Sequence, residues 1–209
     1  MLNIRSLVMF ILALGTVGGA LLGTPSMADE EIQIELNATP GDFYKQAVEL
    51  NKIGLTEQAR HILNAAIKLD PKAPESDDAR RYLSLYMPRY PVPIEAQVIN
   101  NTGVKLERSK KSEEAVQIFQ KCTDEHPFFE LPYTNLSEVF FSKKDYSKSA
   151  KYAKDALAIN ANFVPAWLRL GKALEGAGDS GGAKQAFTRA TQLDPNNSEA
   201  KEALKGKGK

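Results

Sequence analysis

Bulky and small residues recur in this 209-residue chain at a fixed interval of 34, and that register constrains the fold more than any other feature. Ile99, Tyr133 and Trp167 form one series, Gly103, Ser137 and Gly171 a second, and Leu106, Phe140 and Leu174 a third. Ala115, Ser149 and Ala183 follow, then Phe119, Ala153 and Phe187, then Cys122, Ala156 and Ala190, and finally Pro127, Ala161 and Pro195. All seven slots keep register through three copies without an insertion. A period of this length marks stacked supersecondary units, each too small to bury its apolar face alone.

The slots have mechanical meanings. Trp167, Leu170 and Leu174 share one helix face by their i, i+3, i+7 spacing. Gly171 stands where a side chain would hold a partner helix away. Ala183 and Ala190 let a second helix approach, and Phe187 between them supplies bulk. Pro195 ends that helix, because it lacks an amide hydrogen and restricts the residue before it. Together these residues closely resemble the tetratricopeptide repeat, a helix–turn–helix unit. The resemblance implies an all-α fold, a right-handed superhelix (α-solenoid) of stacked helix–turn–helix units, here with an inserted helix and a C-terminal capping helix.

Residues 96–129, 130–163 and 164–197 are the three copies in register. The middle one has Ser137, Ala153 and Ala161 where glycine, an aromatic residue and proline are usual, which predicts a looser turn into the next copy. A fourth copy, out of phase over 40–73, carries Phe43, Ala47, Leu50, Ala59, Leu63, Ala66 and Pro71. Between them, 74–95 is an insert. Ala79, Tyr82, Leu83 and Tyr86 predict a helix over Ser76–Tyr86, ended by Met-Pro-Arg-Tyr-Pro-Val-Pro at 87–93. The insert reads as a spacer that changes the curvature of the stack. A Pro-x-x-P ligand at Pro88 and Pro91 is the disfavoured alternative, because such short motifs recur by accident. Thr56 and Ser112 are the expected N-caps of second helices, and Ser198 of a last helix over 198–205. Gly181 and Gly182 predict fraying of the second helix they open. Gly-Lys-Gly-Lys ends the chain, giving 198–209 as capping helix and basic tail.

At the N-terminus, Arg5 precedes the uncharged apolar run Leu7–Leu22, then Gly-Thr-Pro-Ser-Met-Ala, then Asp29-Glu30-Glu31. This predicts a secretory signal peptide over 1–28, cut after Ala28, with 29–39 as a tether. Export to a periplasmic or secreted location follows from that reading. The competing reading is an uncleaved membrane anchor that oligomerises through Gly15, Gly19 and Gly23, and the short apolar run disfavours it. Asn37-Ala38-Thr39 matches a glycosylation sequon, weakened by Pro40. The 27 basic and 26 acidic residues become equal when Arg5 leaves with the signal peptide. No basic stripe points to nucleic acid. Cys122, the single cysteine, falls in the slot of Ala156 and Ala190 and is expected to be a small core residue, with an intermolecular disulfide as the lesser alternative.

Catalysis needs convergent groups, and the sequence supplies none. His61 and His126 lack partners at ligand spacing, so neither a metal nor a cofactor site is expected. Glu113-Glu114 and Asp77-Asp78 are neighbours whose side chains diverge on a helix. The function is therefore sought on a surface, as a scaffold binding a protein or peptide partner. By the family's geometry the first helices line a concave groove, with Gln97, Asn100, Val104 and Glu107 in one repeat, Leu131, Thr134, Glu138 and Phe141 in the next, and Leu168, Lys172 and Glu175 in the last. This mixed face suits an extended peptide read through main-chain hydrogen bonds. The family's chaperone adaptors clamp a C-terminal carboxylate with lysines, asparagines and an arginine. Asn135 and Arg169 match two of those slots, whereas Asn100, Val104 and Pro165 occupy the other three. With both lysine charges missing, no such partner is expected.

Overall fold

A computed structural model describes residues 38–205. The segments expected as signal peptide and basic tail, and most of the expected tether, lie outside the described residues. Among these residues all regular structure is helical. The first unit comprises α1 (Pro40–Lys52), α2 (Thr56–Leu69) and α3 (Pro74–Leu85). The three repeats in register are the pairs α4 (Ile94–Arg108) and α5 (Ser112–Glu125), α6 (Glu130–Ser142) and α7 (Tyr146–Ile159), and α8 (Val164–Gly176) and α9 (Ser180–Leu193). Helix α10 (Ser198–Lys205) packs on α9 and covers the end of the stack with buried Ala200. Within the array, α5 packs on α6 and α7 on α8, while α4, α6 and α8 lie side by side. This is the α-solenoid that the 34-residue register predicts.

The first and last repeats in register each close on a contact between an aromatic ring and a helix backbone. A Cβ added at Gly171 would sit 2.6 Å from the Phe187 ring, and one at Gly103 2.5 Å from the Phe119 ring. Both distances are far inside van der Waals contact, so only glycine fits. The middle repeat reverses both partners. Ala153 replaces the ring, which leaves room for Ser137, and its hydroxyl lies 3.2 Å from that of Ser149 with both residues fully buried. Two buried hydroxyls thus satisfy each other where the flanking repeats use a ring on a bare backbone.

The turns repeat as well. Gly54, Lys110, Lys144 and Gly178 occupy one position between first and second helices, and all four have φ between 60° and 87°. Only glycine adopts this left-handed conformation without a Cβ penalty. Caps lie one residue earlier than the sequence suggests. Thr56 and Ser112 are the first helical residues, behind Leu55 and Lys111, and make no cap hydrogen bond. Asp145 and Asp179 are true caps, accepting from the amides of Lys148 and Gly182. Gly182 stands where a Cβ would strike the Asp179 carboxylate, so this glycine permits the cap at the helix end expected to fray. For the last helix Asn197, not Ser198, accepts from the Ala200 amide at 2.8 Å. The turn after the middle repeat is also closed without proline. Asn160 accepts from the Asn162 amide at 3.1 Å, as Asp70 does from Lys72 and Asp194 from Asn196 at 3.0 Å. An Asx side chain before the proline slot supplies the closure that proline lacks.

The first unit has its own core, in which Phe43, Ala47, Leu50, Ala59, Ile62, Leu63, Ala66 and Ala79 are joined by Met87. Helix α3 belongs to it, packing on α1 and α2. The insert is thus the third helix of a separate bundle. Among the described residues, no helix of this unit packs on α4 or α5 as α5 packs on α6.

Three measurements test this packing. Gly171→Leu is expected to destabilise the chain by about 1–3 kcal/mol through overpacking against Phe187, read as a lowered thermal midpoint. Lys144→Gly relieves a left-handed lysine and is expected to stabilise by up to about 1 kcal/mol, a rise of a few degrees in that midpoint. Cys122 is fully buried with its thiol on the Ala96 carbonyl, and burial pushes its pKa up to about 12. A thiol reagent at neutral pH is therefore expected to label it only at the rate of unfolding.

Candidate functional site

The first helices α4, α6 and α8 present a concave face, as their register requires, but much of that face is covered. Of the residues expected to line it, Gln97, Asn100, Thr134 and Leu168 are each less than a tenth exposed. Gln97 donates to the Val92 carbonyl at 3.0 Å, and Asn100 accepts from the Asn135 amide group at 2.8 Å. The Thr134 hydroxyl donates to the Leu131 carbonyl, and Leu168 packs with Leu85 and Val164. Val104, Leu131 and Phe141 are half-buried, Val104 against the core of Phe119 and Phe140 and Phe141 with its ring 5.6 Å from Tyr146. Glu138 is ion-paired with Arg169, and Lys172 with Glu199 at 2.6 Å. Glu107 is half-buried with an unpartnered carboxylate oxygen, and Glu175 is exposed. The eleven positions therefore do not form one open surface.

Gln97 and Leu168 are covered by the insert of the chain itself. The segment from Leu85 to Val92 leaves α3 and crosses the N-terminal ends of the first helices in reverse order, from the last repeat to the first. Leu85 inserts among Val164, Leu168, Phe187 and Ala190. The Tyr86 hydroxyl bonds to the Asp194 carboxylate and accepts from the Asn197 amide group. Burial and the Asp194 charge both push that hydroxyl's pKa well above its usual range. The Arg89 amide donates to Glu130 Oε1 at 2.8 Å, and its guanidinium to the Ile159 carbonyl at 3.3 Å. Val92 packs with Ala96, Cys122 and Phe129 of the first and second repeats.

The opposite edge of this strap is held by α2. Arg60 donates to the carbonyls of Pro88 and Tyr90 at 2.7 and 3.3 Å, and Glu57 accepts from the Val92 amide at 3.1 Å. Glu57 and Arg60 also pair with each other at 3.2 Å. Two prolines, Pro88 and Pro91, leave the strap fewer donors, and its main-chain groups are met by side chains on both sides. Two clefts flank it. One, of about 490 Å³, is bounded by Tyr90, Pro91, Pro93 and the Pro127–Phe129 loop. The other, of about 340 Å³, lies among Arg60, Leu83, Arg89 and Asn160–Asn162.

Glu130 is the feature that the groove reading missed. Its slot is filled by Ala96 and Val164 in the neighbouring repeats, so an acid in an otherwise apolar series was the available signal. It is fully buried, and its second oxygen makes no well-formed hydrogen bond among the described residues, although the Asn160 side chain stands near the carboxylate. Burial raises its pKa, opposed by the Arg89 amide, its own amide and Asn160. Leu85 and Arg89 carried no signal either, because nothing in a proline-rich insert says where it docks. Among the described residues no three His, Cys, Asp or Glu side chains converge as metal ligands would.

A family model described as tetratricopeptide repeat matches residues 140–207. RNA polymerase II-associated protein 3 of Xenopus tropicalis is 32% identical over 98 residues, covering 47% of this chain and 15% of that protein. A Plasmodium falciparum Hsp70-Hsp90 organising protein is 28% identical over 110 residues, covering 53% of this chain and 44% of that protein. The chain thus spans less than half the length of these relatives. Among solved structures, the first TPR of Spaghetti (RPAP3), bound to the HSP90 peptide SRMEEVD, is 28% identical. It superposes with a TM-score of 0.51 over 53% of this chain and 87% of that one. The second TPR domain of human RPAP3 is 21% identical with a TM-score of 0.52 over 54% and 93%, a likeness of fold. Register, helix pairing and these matches agree that the array is built of tetratricopeptide repeats, the family model covering residues 140–207.

Proposed function

We propose that this chain is a non-catalytic protein-interaction scaffold, exported to the cell envelope, whose repeats 96–197 hold a segment of a partner protein on their concave side. One observation carries the reading. This side already binds a non-helical peptide segment through its main chain, with Gln97 on the Val92 carbonyl and Glu130 on the Arg89 amide. A surface that reads main-chain groups is suited to peptide partners of varied side chains.

The relatives' chaperone peptides are a guide to the mode of binding rather than to the partner. In the Spaghetti complex the bound peptide is acidic, SRMEEVD. Here the three clamp slots at Asn100, Val104 and Pro165 carry no charge, and the two matching residues are engaged, Asn135 with Asn100 and Arg169 with Glu138. An acidic carboxylate terminus would meet no free cation in those slots. Export rests on the basic start, apolar run and small-residue cleavage context of residues 1–28. The alternative, a membrane-anchored assembly factor, also turns on that segment. Among the described residues no helix is long and apolar enough to cross a membrane.

The test is capture of partners from the cell envelope by chain 29–209, beside a variant with Phe141→Asp and Glu175→Lys on the concave side. A partner lost from the variant, with helicity and thermal midpoint retained, is the expected result. Identical partners in both would place binding on the outer face. Mass spectrometry of the native protein is expected to find a chain beginning at Asp29, and one retaining residues 1–28 would favour the anchored reading.

A further inference from the structure

The strap from Leu85 to Val92 lies across the first helices of all three repeats, and it is attached to a unit with a core of its own. We propose that it occupies the array's own peptide track, so that the partner is a protein carrying a non-helical, proline-punctuated segment of the same pattern. That pattern is an aliphatic side chain, a free main-chain N–H four residues on, and a second aliphatic side chain three residues further. Binding displaces the strap together with α1–α3. The inference rests on the proposed scaffold function and names the chemistry of its partner.

Three observations converge. The track has a built site for each element: the pocket of Val164 and Leu168 for Leu85, the Glu130 carboxylate for the Arg89 amide, and the Ala96, Cys122 and Phe129 surface for Val92. Glu130 is fully buried and carries an unpartnered oxygen, so the strap satisfies this group only in part. A second donor from a better-fitted segment would complete it, and a buried acceptor left unpaired favours whichever segment supplies that donor. The unit that carries the strap is separable. Its core is complete within α1–α3 and Met87, and none of its helices packs extensively on the array. Because the strap is tethered, it competes at a high effective concentration, and a free segment sees only the fraction of molecules that are open.

The probe is a labelled synthetic peptide of residues 83–94, titrated into the full chain. The variant Leu85→Asp with Arg89→Pro removes the first anchor and the donated N–H but spares Met87 and the core of α1–α3. It is expected to bind the probe about tenfold or more tightly than the parent chain, and Glu130→Ala added to it is expected to abolish the gain. Equal binding by parent and variant, with the variant's melting intact, would overturn the inference. Hydrogen exchange on the unmodified chain gives a second reading that needs no variant. Saturating probe is expected to expose the amides of Arg89 and Val92 while α6 and α8 keep their protection, and unchanged protection at those two amides would equally overturn it. A strap-exchanged dimer seen by size-exclusion chromatography would overturn it in favour of a second copy as occupant. Capture of an envelope partner by a chain that ignores the probe would also overturn it, while leaving the scaffold function standing.

Discussion

The close approach of two helix backbones is the constraint on which the rest of this structure depends. Phe119 and Phe187 lie flat against Gly103 and Gly171, where a single added carbon would collide. That contact sets the separation within a pair, hence the space available to the next pair, and so propagates along the stack. The middle repeat shows that the constraint is geometric rather than chemical. Ser137 and Ala153 share the same volume differently, and the hydroxyl this introduces is satisfied by Ser149. The three repeats are thus two solutions to one packing problem.

A stack of this kind needs something on its concave side or its ends, because its inner row of residues is not wholly polar. Here the chain supplies its own cover. Val164, Leu168, Ala96 and Phe129 are buried by Leu85 and Val92, and a proline-interrupted segment that could form neither helix nor strand finds its hydrogen bonds on side chains. The arrangement leaves an oxygen of Glu130 unpaired under the strap, where a core evolved only for stability would have an apolar group.

Much of the helical framework was legible residue by residue. Phe43, Ala47 and Leu50 face one core, and Phe187 meets Gly171, as their spacing requires. The capping residues were less legible. Asp145, Asp179 and Asn197 compete with neighbouring Ser and Thr residues of similar propensity, and backbone geometry chooses between them. The concave face was legible as a set of positions but not as a surface. Asn100, Thr134 and Leu168 occupy the family's groove slots, yet all three are buried, Asn100 against Asn135 of the next first helix, Thr134 on its own helix's Leu131 carbonyl, and Leu168 under Leu85 of the insert.

The sequence by itself determined the repeat, its period and its helix pairs, because each of these depends on residues within one or two turns of helix or one repeat length. Only the tertiary structure decided that α3 completes a separate bundle with α1 and α2, and that Leu85 to Val92 cross the array. Those outcomes join residues far apart in the chain, such as Tyr86 with Asp194 and Asn197 or Asn101 with Gly54. No periodicity encodes such pairs. They follow from which surfaces remain open once the helices have formed, and Glu130, an acid in an apolar series, marks only where the strap docks.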